Sequence, residues 1–141
     1  MGMILDSSVL IAAERGRLRF ANYCASLGDE KLFITAITAS ELLHGVERAT
    51  SQAIRTRRAA FVEALLTRFQ VLEFDLDVAQ HHAPLWAMLA SSGTLIGPHN
   101  LQIAAIALLH GFSVATLNVE EFRRVPSLPL ADLQPFLIHE K

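Results

Sequence analysis

The run Met3-Ile4-Leu5-Asp6-Ser7-Ser8 constrains the fold more than any other part of the chain. Three consecutive apolar residues read as a short buried strand, and a carboxylate stands where that strand should end. Ser7 and Ser8 lead into residues 9–13, an apolar segment that reads as a helix start. A strand that delivers an aspartate and turns straight into a helix places that aspartate at the carboxyl edge of a sheet, where open α/β sheets bind ligands. The competing account is local. Asp and Ser are favoured N-caps, and taken alone Asp6 is explained as a cap.

Strand-like and helical segments then alternate along the chain. Residues 17–27 read as a second helical segment stopped by Gly28-Asp29, and 32–35 as a second strand. Residues 38–49 carry Ala39, Leu42, Leu43, Val46 and Ala49 at helical spacing, and 51–69 form a longer helix with arginines over its first half. Residues 71–74 read as a third strand, Asp77 as the cap of a helix reaching about residue 90, and 96–99 as a turn. Asn100 then opens a helix over 101–110 that is apolar nearly all round and so should be central; Gly111 ends it. Residues 113–117 read as a fourth strand, 118–122 as a short helical turn and 128–131 as a last edge strand. The pattern predicts an α/β, three-layer fold with a mostly parallel sheet of four to five strands flanked by helices. Without a repeat or linker, residues 1–141 read as a single domain, with Met1-Gly2 as a cloning remnant and Met3 as the natural start.

Four places share one arrangement, in which a strand or turn ends, an oxygen-bearing residue follows and a helix begins. They are Asp6, Glu41, Asn100, and Asn118 with Glu121. Each also has a capping explanation: Thr38 to Glu41 fits a capping box, Asn118 to Glu121 resembles one, and Asn100 is a good N-cap. Jointly that explanation weakens. Carboxylates gathered at one sheet edge repel, and helix N-termini offset only a fraction of a charge each. A divalent cation would neutralise them, and oxygen ligands suit Mg²⁺ or Mn²⁺ rather than zinc. Such ions orient phosphodiesters and activate water, so an acidic site beside arginines suits phosphoryl transfer. Ser8 either supports Asp6 or the metal by a hydrogen bond or simply begins the helix.

Other chemistries fit less well. The six histidines show no metal-ligand spacing, Ser7 and Ser8 have no paired histidine, and no Gly-rich phosphate loop precedes a helix. His99 reads as a turn residue and Trp86 as a core or interface residue. A net charge of −2 gives no global nucleic-acid footprint, so RNA or DNA contact would use the local patches Arg15/Arg17/Arg19, Arg55/Arg57/Arg58 and Arg123/Arg124. Cys24 is the single cysteine, which excludes an intramolecular disulfide and fits a reducing, cytoplasmic setting. The longest apolar run, 103–109, is far short of the ~20 residues of a membrane span, and no secretory signal pattern opens the chain. At 52% hydrophobic, the composition argues against disorder and suggests apolar surface buried against another chain.

Four segments carry a family resemblance. Met3-Ile4-Leu5-Asp6-Ser7-Ser8, Thr38-Ala39-Ser40-Glu41-Leu42, Ile96-Gly97-Pro98-His99-Asn100-Leu101-Gln102-Ile103-Ala104-Ala105, and Ala115-Thr116-Leu117-Asn118-Val119-Glu120-Glu121-Phe122 with Arg123-Arg124-Val125 resemble the signature segments of the PIN domain. The similarity is closest to the VapC-type toxins of bacterial and archaeal toxin–antitoxin pairs and runs in order over nearly the whole chain. It implies a Mg²⁺- or Mn²⁺-dependent endoribonuclease leaving a 5′-phosphate and a 3′-hydroxyl. It further implies a homodimer inhibited by a cognate antitoxin whose C-terminal segment lies across the acidic site. Asp6 and Glu41 match the first two family acids, and Asn118 and Glu121 fall where the family supplies its last ligands.

Asn100 departs from the pattern, because the family usually has Asp there. Asn keeps the size and one acceptor oxygen but loses the charge, so this form is expected to bind metal weakly and to be impaired. The preferred account is a replacement made so that a toxic nuclease could be expressed; the other is a natural member that has lost activity. The resulting expectation is a metal-dependent endoribonuclease toxin acting on RNA, impaired at Asn100. The alternatives are a non-catalytic PIN-like module that binds an antitoxin or RNA without cleavage, and a DNA-directed nuclease of the flap-endonuclease type, for which the chain is short.

Overall fold

A computed structural model describes residues 2–139. Strand β1, Gly2–Leu5, is buried throughout. It lies between β2 (Lys31–Thr35) and β4 (Ser113–Ala115), and β3 (Gln70–Leu72) extends the sheet beyond β2 in the order β3-β2-β1-β4. Every pairing is parallel, with Ile4 opposite Phe33 and Leu5 opposite Ala115. A parallel sheet buried on both faces explains why these strands read as continuous apolar runs rather than alternating ones.

The strand period of two sends neighbouring residues to opposite cores. Met3, Leu5, Ile34 and Ala115 face one side, where they pack against α1 (Ser7–Glu14), α2 (Phe20–Ser26), α3 (Ala36–Glu47) and α4 (Gln52–Arg68). Ile4, Phe33, Leu72 and Val114 face the other, against α5 (Leu76–Ser91), α6 (Pro98–His110) and α7 (Val119–Phe122). The three-layer expectation is met. Helix α6 is the central one, with Ile103, Ala104, Ile106 and Ala107 completely buried and Gly111 closing it in the left-handed conformation at φ 70°.

Several local expectations need correction. Residues 128–131 do not form a fifth strand: Leu130 makes one isolated parallel bridge to Val114, so the sheet has four strands among the described residues. Helix α3 begins two residues earlier than read, capped by Thr35, whose hydroxyl accepts from Thr38 N–H at 3.0 Å; the box from Thr38 to Glu41 does not form. Asp75 rather than Asp77 caps α5, accepting from Val78 N–H at 3.0 Å. Asn100 does not cap α6. Gly97 holds that position and Pro98 opens the helix, as a ring with φ already helical and no N–H to satisfy can do. Gly2 is the first residue of β1, paired with Lys31, and a Cβ there would meet Phe112 and Phe33 at 2.7 Å. Met1, the rest of the proposed remnant, lies outside the described residues.

Candidate active site

Asp6 leaves the end of β1 and is only 3% exposed. It occupies the N-cap position of α1, yet its side chain makes no capping bond. Its Oδ2 instead accepts from Ser8 Oγ at 2.9 Å and from Thr116 Oγ1 at 2.8 Å. Those hydroxyls are themselves held: Ser8 Oγ accepts from Leu117 N–H at 3.0 Å, and Thr116 Oγ1 from Asn118 N–H at 2.9 Å. The other oxygen, Oδ1, takes no side-chain hydrogen bond among the described residues, and no fully buried side-chain oxygen there lacks a partner, so Oδ1 keeps access to solvent. Asp6 is thus clamped on one side and open on the other.

Glu41 stands mid-helix in α3, where a capping role is impossible. Ser7 Oγ donates to its Oε1 at 3.3 Å, and His99 Nδ1, from the first turn of α6, lies 3.6 Å from Oε2. Partial burial pushes the Glu41 carboxyl above its ordinary range and the Asp6 charge pushes the same way, while His99 and Ser7 act against them. The structure therefore brings Asp6 and Glu41 within electrostatic reach of each other, with Ser7, Ser8 and His99 around them.

Asn118 and Glu121 form a second, linked group. Asn118 Nδ2 donates to Glu121 Oε2 at 3.1 Å, and Gly97 N–H donates to Oε1. Asn100, in the first turn of α6, lies near the same carboxylate. The Gly97 N–H, followed by the two asparagines and Arg124, holds the Glu121 carboxyl below its usual range against the opposing effect of burial. Glu121 therefore ties α7 to the start of α6, and neither Asn118 nor Glu121 makes the capping box suggested by spacing.

Among the described residues no three His, Cys, Asp or Glu side chains converge as a metal-binding group. The donor set at Asp6 and Glu41 is nonetheless all oxygen, with Asp6 Oδ1 open and like charges to neutralise, and Asn100 supplies only a neutral amide on the neighbouring helix. That chemistry fits Mg²⁺ or Mn²⁺.

Sequence reading missed Thr116, buried to 1% exposure and bonded to Asp6, and preferred a turn residue over a substrate contact for His99. The signal for Thr116 is the register: Leu5 lies opposite Ala115, so Asp6 and Thr116 leave the sheet side by side. A cleft of about 370 Å³ runs from Glu41 between α1, α3 and α4, lined by Ile11, Arg15, Arg48, Arg58 and Phe61. Trp86 is not core; it is 59% exposed and lies tilted against His82 at 5.5 Å.

Parallel strands, an acid at the carboxyl edge of β1 and a second acid on the helix that follows β2 define a class that comparison with known proteins makes explicit. Residues 3–128 match the model of the PIN domain, and the chain belongs to that family. Relatives within the family include VapC proteins. Ribonuclease VapC1 of Rickettsia felis is 35% identical over 128 residues, covering 91% of this chain and 93% of its own. The tRNA(fMet)-specific endonuclease VapC of Salmonella typhimurium is 31% identical over 129 residues, covering 92% and 96%. Among solved structures, DNA-bound VapBC from Salmonella typhimurium superposes with a TM-score of 0.84 at 30% identity over 94% of this chain and 98% of that one. VapBC-5 from Mycobacterium tuberculosis gives 0.74 at 30% identity over 92% and 95%.

Proposed function

We propose that this protein is the ribonuclease toxin of a toxin–antitoxin pair, a divalent-metal-dependent endoribonuclease whose present form is weakened by Asn100. The observation that carries the reading is the Asp6 clamp, in which Ser8 and Thr116 hold one carboxylate oxygen of a 3% exposed aspartate that lies within electrostatic reach of Glu41, while the other oxygen takes no side-chain hydrogen bond among the described residues. A buried acid with one oxygen left free is costly as a structural device and suited to a cation. The relatives named as VapC ribonucleases support the same activity.

Asp6 and Glu41, with the residue at position 100, would hold Mg²⁺ or Mn²⁺; Asn118 and Glu121 are the outer candidates. When bound, such an ion supplies positive charge that offsets the acids and lowers the pKa of an attacking water. Asp6 contributes a fixed, correctly oriented charge, because its Oδ2 cannot rotate away from two hydroxyl donors. Glu41, whose carboxyl burial and the Asp6 charge push up, is held by Ser7 and faces His99, and the ion's charge would offset that repulsion. Glu121 supports the site from behind, setting the first turn of α6, which carries His99 towards Glu41. Asn at position 100 removes one negative charge from this group, which lowers metal affinity and the basicity of the site.

The partners proposed are RNA as substrate, a cognate antitoxin, as the VapBC complexes among the structural neighbours suggest, and a second copy of the chain. Exposed Leu76 and Trp86 on α5 are apolar surface that dimerisation would cover. A cytoplasmic location is part of the proposal, and no helix of the described residues is long and apolar enough to cross a membrane.

The test compares this chain with its Asn100→Asp variant on structured RNAs in Mg²⁺, in Mn²⁺ and with chelator. Metal-dependent cutting by the variant, at least about 10²-fold above this chain, is expected for restoring a charged group at the reacting centre. One observation favours a second reading: with Asn at position 100, no triad of charged ligands exists among the described residues. A non-catalytic module that binds antitoxin or RNA would leave both proteins silent across the panel. Finding Asn at this position in the source gene would remove the idea that it was introduced for expression.

A further inference from the structure

Two clefts run along α1, one on each side, with Ile11 and Arg15 on the ridge between them. The first reaches Glu41. The second, of about 410 Å³, opens at Ser8 and Leu117 and continues past Arg17 to Ile138 and His139. Its far wall is built by the C-terminal segment. Ile138 N–H donates to the Arg17 carbonyl at 2.9 Å, Arg19 N–H donates to the Phe136 carbonyl at 2.8 Å, and Leu137 bridges antiparallel to Leu18. The wall is therefore held by backbone pairing and does not depend on the side chains that line the cleft.

The mouth of this cleft is continuous with the acid. Ser8 Oγ donates to Asp6 Oδ2 and accepts from Leu117 N–H, so one hydroxyl belongs to both. The floor is apolar, with Ile11, Leu117 and Ile138 each 36–41% exposed. The charged lining is one-sided: Arg15 and Arg17 line it and no carboxylate of the described residues does, whereas Glu14 and Glu41 enter the first cleft.

The arginine patches also differ in what they have left to offer. Arg123 pairs with Glu120, Arg124 donates to the Leu95 carbonyl, Arg55 reaches Glu47 and Arg58 donates to the Gly45 carbonyl. Arg15 and Arg17 make no side-chain hydrogen bond or ion pair among the described residues, and of the other patch arginines Arg19 and Arg57 share that state but neither lines this cleft.

We infer that this second cleft is a substrate subsite that holds the nucleotide next to the phosphodiester at Asp6. Arg15 and Arg17 take its phosphate, and its sugar and base lie on Ile11, Leu117 and Ile138. The inference rests on the ribonuclease reading. Charge selects the occupant: two guanidiniums that make no side-chain ion pair among the described residues, in a cleft those residues line without a carboxylate and joined to a site for a phosphodiester, match an anionic strand. The size falls in the range of small-molecule sites. Position matters as much, since a group bound here is registered against Asp6 by a single serine. Binding energy from this non-reacting part of the substrate is shared by ground and transition states, so it adds affinity for the strand rather than speed at the bond.

The test uses the exposed Arg17, whose side chain takes no part in the backbone pairing. A fluorescein-labelled, mixed-sequence single-stranded RNA is titrated in Mg²⁺ against the chain, its Arg17→Ala variant, and Lys31→Ala at the amino edge of the sheet as control. Arg17→Ala should raise the Kd about fivefold and reduce the salt slope by about 0.7, one phosphate's share on a single strand, with Lys31→Ala unchanged. In the Asn100→Asp background it should raise KM and leave kcat nearly unchanged, the signature of lost ground-state binding. RNA bound equally by the chain and Arg17→Ala, with Asn100→Asp cutting RNA, would overturn the subsite and leave the ribonuclease reading standing. No RNA binding by the chain and no cutting by Asn100→Asp would overturn both. Weakened binding of the antitoxin's C-terminal peptide, with RNA binding intact, would overturn the inference in favour of a protein occupant.

Discussion

Asp6 and Glu41 carry like charges at one sheet edge, and their surroundings treat them differently. Asp6 is buried but supplied with two hydroxyl donors, whereas Glu41 has one hydroxyl at 3.3 Å and a histidine at 3.6 Å. Burial and Asp6 leave Glu41 binding its proton more tightly in the folded state than in the unfolded one. The stability this gives is present at acid pH and is lost as pH rises through the raised value, so at neutral pH the charged Glu41 is a liability. Glu41→Gln removes the charge and keeps an acceptor for Ser7. In chelator at pH 7 it should raise the thermal midpoint by about 1–3 °C, with the gain shrinking towards pH 4. Mn²⁺ should stabilise the parent more than the variant and narrow or reverse the difference. A midpoint in chelator at or below the parent's across this range would sink the like-charge account. Site and stability are in conflict at this residue, as a functional acid predicts.

At the scale of elements, the start of α6 is the part most exposed to disruption. No side chain caps it, and Gly97 gives its N–H to Glu121 on α7. A Cβ at Gly97 would lie 2.9 Å from Glu121 Oε1, the far end of a flexible side chain that can swing away. Gly97→Ala should therefore cost little stability, a midpoint change within about 2 °C, while freeing the turn that presents His99 and residue 100. Activity in the Asn100→Asp background should fall about tenfold or more, because small misplacements at a reacting centre are costly. Activity matching the Gly97 parent would show that the tie is not needed. The elements themselves were largely legible in the chain. Apolar runs marked all four strands, and Gly111 marked the end of α6. Helix starts were read less well, because Ser, Thr, Asp and Asn are abundant near each boundary and several could serve. Which one caps depends on where the strand lets go, so Thr35 displaced Thr38 and Asp75 displaced Asp77.

Across the whole molecule, the sheet separates two cores, and β1 contributes to both through alternate residues. Ile106 is completely buried in the core on the α6 side. Ile106→Ala should cost roughly 3 kcal/mol, of order 10 °C in midpoint for a domain of this size, read by thermal denaturation. A loss under about 1 kcal/mol would mean that the layer can collapse around the gap. The sequence by itself determined the strands, the parallel α/β class and the residues that cluster at its carboxyl edge, because hydrophobic periodicity and chain order are local properties. The tertiary structure decided what each polar residue does there. Asp6 meets Thr116 across 110 positions of sequence, Glu41 meets His99, and Glu121 meets Gly97. The 2.8 Å hydrogen bond to Asp6 and the 3.6 Å imidazole–carboxylate contact at Glu41 depend on strand register and helix rotation, and register is settled only when both faces of the sheet are packed.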